Sequence, residues 1–398
     1  MKKHSIMQNK KKVLMAVCNF FTNDNRVFRA ADALAANGYD VLLLTYHRDD
    51  LKEHETLGHG FHLHRIPLKA KINKPARFAN LLKYIDFKRK AKKIAADYQP
   101  DIVHCNDYST LFLGIYCKQK YGSKLVYDDH EYFQDLNYLH RYPMAVRKYI
   151  ARYERNTIKQ WIDKMIVVSP GIAEAYEKLT TKKPEVVMNI TDRAVISEET
   201  PRNDEFNTYN DYLTGLKKEG KELLLYIGKN FVRGRGMDFT IKLLKHLPEN
   251  YFLIIFGCSN DREINQLRTI FKERGVDDRI KAFKFVEFSN LYHLKDHFSY
   301  GLSLIEPIYF SYNYSLPNKL FEYIMMGIPV IASDIPEQKR VVEQYGIGLI
   351  ADLKTPELTA RQLQETGDNT FDGMEKARKE LTWENEKQKL LRIYTELL

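Results

Sequence analysis

The segment Ser315–Gly327, SLPNKLFEYIMMG, has the residue order of a helix that begins at a ligand. Its serine is a good helix cap, and Pro317 suits the first helical turn. The backbone N–H groups of Asn318 and Lys319 would then lack hydrogen-bond partners within the helix. Because unpaired N–H groups at a helix start attract anions, the segment predicts a phosphate site.

Glu322 lies one turn further along this predicted helix, among residues that are otherwise apolar. A carboxylate in such surroundings is costly to bury unless it accepts hydrogen bonds, and the two hydroxyls of a ribose would donate them. Together with a phosphate at the helix start, this arrangement indicates a nucleotide. The alternative is that Glu322 is exposed to solvent or paired with Lys319.

A second phosphate-binding candidate is the loop in ELLLYIGKNFVRGRGMDFT, where an apolar strand runs into Gly228. The loop carries the cations Lys229, Arg233 and Arg235 before the next helical pattern. Ligands of parallel sheets bind beyond the carboxyl ends of the strands, which is where these cations are expected. A solvated turn without a ligand would also account for such a loop.

Short apolar runs alternate with helical patterns along the chain, which predicts an α/β fold with parallel sheets. A polar, turn-rich stretch at 197–220 interrupts the alternation, and we interpret it as an interdomain linker. We therefore predict doubly wound, Rossmann-like domains at 1–196 and 221–381, with a ligand in the cleft between them. The amphipathic pattern at 382–398 predicts a final helix.

The chain carries a formal net charge of +10, which favours an anionic partner. Charge alone leaves nucleic acid, phospholipid head groups and phosphorylated small molecules open. No run of eighteen or more uncharged apolar residues and no signal-peptide pattern occurs in the sequence, so the expected location is the cytosol. Residues 69–93 interleave many lysines and arginines with apolar side chains, as in a helix lying on an anionic bilayer or a solvated helix covering a core.

Several stretches resemble the retaining glycosyltransferases of family four, also called group 1. In the second half these are YIGKNFVRGRGMD, VEFSNLYHLKDHFSYGLSLIEP and SLPNKLFEYIMMGIPVIASDIPE. In the first half they are NDNRVFRAADALAANGYDVLLLTY, DIVHCNDYSTLFLG, KLVYDDHEYF and DKMIVVSPGIAEAY. The resemblance implies the GT-B fold, in which two Rossmann-like domains face each other across a cleft. WENEKQKLLRIYTEL resembles the family's terminal helix, which crosses back to the first domain.

The resemblance also implies an activity, the retaining transfer of a sugar from a nucleoside-diphosphate sugar. Arg235 and Lys229 match the family's diphosphate-binding residues, and Glu322 matches the glutamate that takes the ribose hydroxyls. Val286 to Phe288 fall where the family's backbone meets the base. The predicted donor-binding set comprises Gly228, Lys229, Arg233, Arg235, Val286, Phe288, Glu306, Ser315, Pro317, Asn318, Lys319 and Glu322.

One position departs from the family pattern. Tyr314 stands where the first glutamate of the family's E-x7-E element commonly contacts the donor sugar, so the identity of the sugar stays open. Glu306, just upstream, could still reach the sugar from a longer loop. The variant SLPNKLFEY is similar to that of bacterial surface-polysaccharide enzymes.

In the first half, His130 resembles the family's strand-end histidine and is predicted to lie near the reacting sugar. With Arg235 and Lys229 it forms the predicted catalytic set, although a lone histidine is more often structural. Four further residues at strand ends are predicted on the acceptor side, namely Asp24, Arg26, His104 and Asp107.

The resemblance implies catalysis by groups that meet the charge developing on the leaving diphosphate, so neither a metal nor another cofactor is expected. Asp128 and Asp129 form the acidic pair of YDDHEYF, but they are distant in sequence from the phosphate loops. The expected partners are the donor, a glycan or polyprenyl-linked acceptor, and an anionic surface at the inner face of the plasma membrane. Nucleic acid is not among them.

Two other functions compete with this prediction. An epimerase or a sugar phosphorylase would use the same architecture, but phosphorylases are much longer and need a pyridoxal lysine motif that we do not find. A non-catalytic protein that binds nucleotide or membrane through its basic surface is the second rival. It would have to explain why Arg235, Glu322 and an anion-binding helix start occur together.

Overall fold

The computed structural model describes residues 10–68, 76–133, 142–196, 199, 203–228, 234–366 and 371–398, and only the backbone of 76–79. The described chain forms two compact units. The first comprises the residues up to 188 together with 387–398, and the second comprises 189–386. Each unit is a parallel sheet flanked by helices, as in Rossmann-like domains.

The strands of the first unit are β1 (Lys12–Ala16), β2 (Asp40–Tyr46), β3 (His54–Leu57), β4 (Phe61–Ile66), β5 (Ile102–Asn106), β6 (Lys124–Asp129), β7 (Lys164–Val167) and β8 (Glu185–Val186). They lie in the order β3-β4-β2-β1-β5-β6-β7-β8. Every described pairing is parallel except that of β3 with β4. The order reverses direction between β1 and β5, which is the topological switch point where such sheets bind ligands.

The helices of the first unit are α1 (Asn25–Ala36), α2 (Ala76–Tyr98), α3 (Leu111–Tyr121), α4 (Met144–Trp161) and α5 (Pro170–Thr180). Helices in these connections are expected, because parallel neighbours need long crossovers. Helix α1 begins where the Asp24 carboxylate accepts the Val27 N–H, and its buried face includes Val27, Ala31 and Leu34. None of the described helices in either unit is both long and apolar enough to cross a membrane.

The strands of the second unit are β9 (Glu222–Ile227), β10 (Tyr251–Cys258), β11 (Ile280–Lys284), β12 (Tyr300–Ser303), β13 (Val330–Ser333) and β14 (Gly348–Ala351). Their order is β11-β10-β9-β12-β13-β14, and all described pairings are parallel. The strands are nearly continuous apolar runs because helices cover both faces. The switch point here lies between β9 and β12.

The helices of the second unit are α6 (Asp204–Lys218), α7 (Met237–His246), α8 (Asp261–Glu273), α9 (Phe288–Tyr292), α10 (Phe310–Asn313), α11 (Asn318–Met326), α12 (Pro336–Tyr345), α13 (Pro356–Glu365) and α14 (Met374–Glu380). The final helix, α15 (Trp383–Thr395), continues into the residues that belong to the first unit.

Two elements differ from the sequence expectation. The predicted linker at 197–220 contains α6, which Asn203 caps and which buries Phe206, Tyr209 and Leu213 at helical spacing. The prediction of a turn-rich linker did not include this helix, because its many polar residues hid a single apolar stripe. The antiparallel pair β3–β4 was not predicted, although FHLHRI alternates apolar and polar residues as a half-buried strand does.

Tyr323 fixes helix α11 to the sheet of the second unit. Its side chain is fully buried, its hydroxyl accepts the Ile227 N–H at 3.0 Å, and it donates to the Leu225 carbonyl at 3.2 Å. The ring occupies the space of the missing side chain at Gly301 on β12, where a Cβ would lie 2.4 Å from the ring. Helix α11 is therefore held across the switch point between β9 and β12.

Replacing Gly301 by alanine tests this packing. The added methyl group would push Tyr323 away from the sheet, so we expect Gly301→Ala to lower the free energy of unfolding by about 1–3 kcal/mol. Chemical denaturation measures the change. Gly215→Ala is the control, because a Cβ there meets no atom within 4 Å and alanine favours the helix by about 0.5–1 kcal/mol. Equal effects of the two substitutions would contradict the packing argument.

Candidate functional site

The carboxyl ends of β9 and β10 meet at two glycines. Gly228 donates its N–H to the Phe256 carbonyl at 3.0 Å, and a Cβ at Gly257 would lie 2.0 Å from the Gly228 carbonyl oxygen. Both glycines have a positive φ, 156° and 137°, which other residues rarely adopt. The missing side chain at Gly257 therefore lets the backbones of the two strand ends approach each other closely. The predicted cations Lys229 and Arg233 lie outside the described residues.

Arg235 sits between two glycines at the start of α7. Gly236 has a φ of 71°, and a Cβ there would lie 2.4 Å from Leu304. Glu306 braces this turn, because its carboxylate accepts the Gly236 N–H at 3.3 Å and its N–H donates to the Gly234 carbonyl at 3.1 Å. Glu306, which was predicted to reach the sugar, thus holds the backbone of the phosphate-loop candidate.

The Arg235 side chain is half-buried and lies over the Tyr312 ring, with the guanidinium carbon 5.6 Å from the ring centre. Its carbonyl accepts a hydrogen bond from the Tyr226 hydroxyl at 3.1 Å. The turn is thereby tied to β9, and the planar cation is oriented by stacking.

The start of α11 differs in one detail from the prediction. Pro317 occupies the N-cap position instead of the first turn, and Ser315 does not cap the helix, because its hydroxyl donates to the Tyr312 carbonyl at 2.9 Å. No described side chain accepts a hydrogen bond from the first turn. The backbone N–H groups of Asn318 and Lys319 therefore lie at the positive end of the helix dipole and donate to no described side-chain cap. Such a helix start is suited to bind an anion.

Lys319 is a buried cation of the second unit. It is 8% exposed, its Nζ lies 4.2 Å from the centre of the Tyr226 ring, and this Nζ has no hydrogen-bond partner among the described residues. Burial, together with the positive charge of Arg235, lowers the pKa of Lys319 to about 7. Burying an amine without a hydrogen-bond partner lowers the stability of the folded protein. This side chain is therefore suited to bind an anion.

Glu322 lies one turn into α11 and is half-buried. Its charge raises the pKa of Lys319, but burial and Arg235 outweigh that effect. Because Lys319 Nζ makes no hydrogen bond within the described chain, the alternative of a bonded Lys319–Glu322 pair does not hold. Val286 and Phe288 follow β11, where Phe285 donates its N–H to the Cys258 carbonyl at the end of β10. Helix α9 begins at Phe288.

The first unit has a second charged cluster at its switch point. Arg26 makes a buried two-pronged ion pair with Asp128, with nitrogen–oxygen distances of 3.1 and 2.6 Å, and also donates to the Val187 carbonyl at 2.8 Å. Burial would raise the pKa of Asp128, but Arg26 and the neighbouring histidines hold it well below its usual range. This carboxylate is therefore charged at neutral pH.

His130 lies between two carboxylates, with Nε2 3.5 Å from Asp128 and Nδ1 3.6 Å from Asp107. Burial would lower the pKa of His130, but these two charges raise it to about 9. The imidazole is therefore cationic at neutral pH, with both ring nitrogens protonated. Asp107 also accepts the backbone N–H of His130, and its side chain is 44% exposed.

Three of the predicted acceptor-side residues have internal partners instead. Arg26 is held by Asp128, and Asp24 caps α1 and accepts from Asn19 at 2.8 Å. His104 is fully buried, and its Nδ1 lies 2.7 Å from the hydroxyl of Tyr394 on α15. These side chains support the cluster and leave His130 and Asp107 as the described members that reach its surface.

Sequence reasoning missed a buried acid pair beside this cluster. The hydroxyls of Tyr127 and Tyr176 each lie within 3.0 Å of Asp129 and of Glu154. Burial and the nearby Glu154 raise the pKa of Asp129 well above its usual value. The only available signal was a glutamate at 154 on the apolar face of a predicted helix.

Two family models match the sequence in series. Residues 24–194 match Glycosyltransferase Family 4, and residues 214–387 match Glycosyl transferases group 1. The chain is a glycosyltransferase of the GT-B fold. The second match contains the Arg235 loop and the start of α11. No curated protein sequence gives a significant match to this glycosyltransferase.

Solved structures support the same fold. The glycosyltransferase is similar to a sucrose-phosphate synthase from Thermosynechococcus elongatus, with a TM-score of 0.75, 17% identity and coverage of 98% of this chain and 99% of the other. Anabaena HepE in complex with UDP-glucose has a TM-score of 0.69 at 14% identity, covering 97% and 99%. WaaG, a glycosyltransferase involved in lipopolysaccharide biosynthesis, has a TM-score of 0.65 at 18% identity, covering 96% and 99%.

Removing the Lys319 charge should stabilise the ligand-free protein. The folded pKa of about 7 lies below the unfolded value, so the wild-type protein gains stability as pH rises from about 7 to 10. We expect Lys319→Met to raise the free energy of unfolding by about 1–3 kcal/mol at pH 6–7, with a smaller gain at pH 9–10. Urea denaturation across this range measures it. The exposed control Lys272→Met should change little at any pH, and a destabilised Lys319→Met would contradict the argument.

Proposed function

We propose that this glycosyltransferase is a retaining enzyme that transfers a sugar from a nucleoside-diphosphate sugar to a glycan or lipid-linked glycan. We further propose a role in bacterial surface-polysaccharide biosynthesis. The observation that carries the donor assignment is the position of Lys319 beside Arg235 at the start of α11. Two cations and a helix start without a side-chain cap converge on one point at the switch point of the sheet.

This group of positive charges fits the chemistry of the leaving diphosphate. Negative charge grows on the diphosphate as the bond to the sugar breaks, so groups that bind this charge lower the barrier. Arg235 offers a planar fork for two oxygens, and the Lys319 amine becomes protonated as the anion enters. The helix N–H groups supply partial positive charge in a fixed direction.

The half-buried Glu322 is the proposed acceptor for the two ribose hydroxyls, one turn beyond the diphosphate. The backbone of Val286 to Phe288, at the ends of β10 and β11, is the proposed site for the base. The complex of Anabaena HepE with UDP-glucose supports a nucleoside-diphosphate sugar as the donor. The involvement of WaaG in lipopolysaccharide biosynthesis supports the surface-polysaccharide role.

In the first unit, the cationic His130 is the proposed hydrogen-bond donor near the reacting sugar. An imidazolium with a pKa of about 9 is a poor general base, so the proposal assigns it an electrostatic role. The neighbouring acids have other partners: Asp128 binds Arg26, and Asp129 shares tyrosine hydroxyls with Glu154. We therefore propose departure and attack on the same face of the sugar, without a metal bound by this acidic pair.

A nucleotide panel tests the donor site. Thermal unfolding in UDP, GDP, ADP or CMP without added metal should show stabilisation by at least one of them. Each charge-assisted hydrogen bond is worth about 1.5–3 kcal/mol, so Arg235→Ala should abolish the shift, and Lys319→Met and Glu322→Ala should reduce the affinity about tenfold or more. Arg274→Ala, which removes an exposed arginine of the same unit, is the matched control.

No response to any of the nucleotides would overturn the donor assignment. Nucleotide binding without slow hydrolysis of any sugar donor would instead support the non-catalytic rival. With an active donor, the anomeric configuration of the product, measured by proton NMR, tests retention, and an inverted product would refute it.

We also propose that the enzyme binds an anionic membrane surface through helices α2 and α4. Helix α2 covers the core with the buried Phe87, but it leaves Leu81 and Ile85 53% and 52% exposed.

Helices α2 and α4 are neighbours. Tyr84 of α2 donates a hydrogen bond to the Ser109 carbonyl, and the ring of the adjacent Tyr108 contacts Tyr153 of α4. The exposed apolar residues of α4 are Met144, Val146, Tyr149 and Tyr153. The cations on the two helices that are at least partly exposed include Lys88, Lys92, Lys93, Lys148 and Arg152.

Vesicle binding tests this surface. Each lysine near an anionic bilayer contributes about 1 kcal/mol, so changing Lys88, Lys92 and Lys93 to glutamine should weaken partition by about one to two orders of magnitude. Co-sedimentation with phosphatidylglycerol vesicles measures the partition. The control changes Lys217, Lys218 and Lys221 to glutamine, which removes the same charge from the second unit. Equal binding by the two variants would contradict the membrane proposal and favour the alternative that α2 is a solvated helix covering the core.

A further inference from the structure

Four of the twelve histidines of the chain, at positions 54, 59, 62 and 64, lie within eleven residues that span the strands β3 and β4 and the turn between them. Neither the donor site nor the charged cluster of the first unit uses them. In the sheet order, β3 is four strands away from β5, at which the cluster is built. The histidines therefore call for a separate explanation.

The strand register brings two of these imidazoles together. His54 pairs directly with His64 across the antiparallel ladder, and their ring centres are 4.2 Å apart. Side chains directly opposite in such a ladder point to the same face of the sheet. The other two histidines have separate partners, since His59 Nδ1 lies 2.9 Å from Asp32 and His62 Nδ1 lies 3.2 Å from the Thr56 hydroxyl.

Glu53 supplies a carboxylate to the His54–His64 pair. Its Oε1 lies 3.5 Å from Nε2 of His54 and 3.8 Å from Nε2 of His64. These separations are long for hydrogen bonds. They are close to the spacing of two ligands around a tetrahedral zinc ion, about 3.3 Å when each bond is about 2.0–2.1 Å. All three ligand atoms lie within 4.8 Å of one another.

We propose that Glu53, His54 and His64 bind a divalent transition-metal ion of the zinc type. Two imidazoles and one carboxylate form a known zinc ligand set, and the fourth position is left to water. Unprotonated imidazole is the ligand form and is the main form of an ordinary histidine at pH 7. Because both imidazoles bind the ion in the unprotonated form, the two facing rings do not repel each other as two charged rings would.

The exposure of the ligands determines the character of the site. Side-chain exposures are 47% for Glu53, 65% for His54 and 20% for His64, so the ion enters directly from solvent. His64 is the anchored ligand, while His54 and Glu53 close onto the ion from the edge strand. The bound metal clips β3 to β4 through side chains on one face of the sheet.

Titration of the full-length protein with Zn²⁺ tests the site. Isothermal calorimetry should show a saturable site in the wild type, and His54→Gln or Glu53→Gln should weaken it at least tenfold. His59→Gln is the matched control, because it removes a histidine from the turn between the same two strands, where its partner is Asp32. Thermal unfolding should show a Zn²⁺-dependent rise that is lost in the same two variants and kept in the control.

Cobalt provides a second readout that does not depend on stability. Co²⁺ bound to this ligand set with a water should give the visible absorption of a four-coordinate ion, and the signal should disappear in His64→Asn. Loss of Zn²⁺ binding in His59→Gln but not in His54→Gln would overturn the assignment. So would the absence of saturable Zn²⁺ binding to the wild-type protein.

Discussion

The bond between the Tyr323 hydroxyl and the end of β9 is the contact on which the second unit's site depends. It fixes the rotation of α11 about its axis, because the ring has to enter the gap left by Gly301. Once that rotation is set, Lys319 falls over the Tyr226 ring, four residues before Tyr323 on the same side of the helix. The hydroxyl of Tyr226 in turn holds the backbone of Arg235. Tyr323 thus sets the position of Lys319, and Tyr226 contacts both Lys319 and the backbone of Arg235.

The two charged regions of the protein are built on opposite principles. In the first unit, Arg26 and Asp128 neutralise each other inside the protein, and His130 is charged because it lies between two carboxylates. In the second unit, Lys319 is buried beside another cation, without a hydrogen-bond partner in the described chain. Such an arrangement costs stability in the free protein, and an anionic ligand removes that cost. The charged cluster of the first unit is therefore stable without a ligand. The Lys319 amine of the second unit has no hydrogen-bond partner within the described chain until a ligand binds.

Much of the fold followed from local pattern. Buried parallel strands such as β5, β9 and β10 are short apolar runs followed by turn residues, and helices such as α1 carry a cap and a regular apolar face. Helix α6 was missed because its apolar residues are separated by many polar ones. The β3–β4 pair was missed although FHLHRI alternates apolar and polar residues. For the site, helix α11 was predicted within one residue of its start. The cap was assigned to the wrong residue, because the Ser315 hydroxyl bonds backwards to Tyr312.

The sequence by itself determined the kind of chemistry: cations and a glycine-rich turn after a buried strand, and a helix start with Glu322 one turn inside. These are local features, since capping, glycine backbone freedom and strand periodicity involve residues close together in the chain. Only the tertiary structure decided which charges have partners. Arg26 and His104, which looked available at strand ends, are engaged by Asp128 and Tyr394, residues 102 and 290 positions away. Lys319, already in the predicted donor-binding set, had the opposite outcome, because packing buried its amine against Tyr226 and left it without a hydrogen bond in the described chain. Partners and burial are set by long-range contacts, which no local pattern encodes.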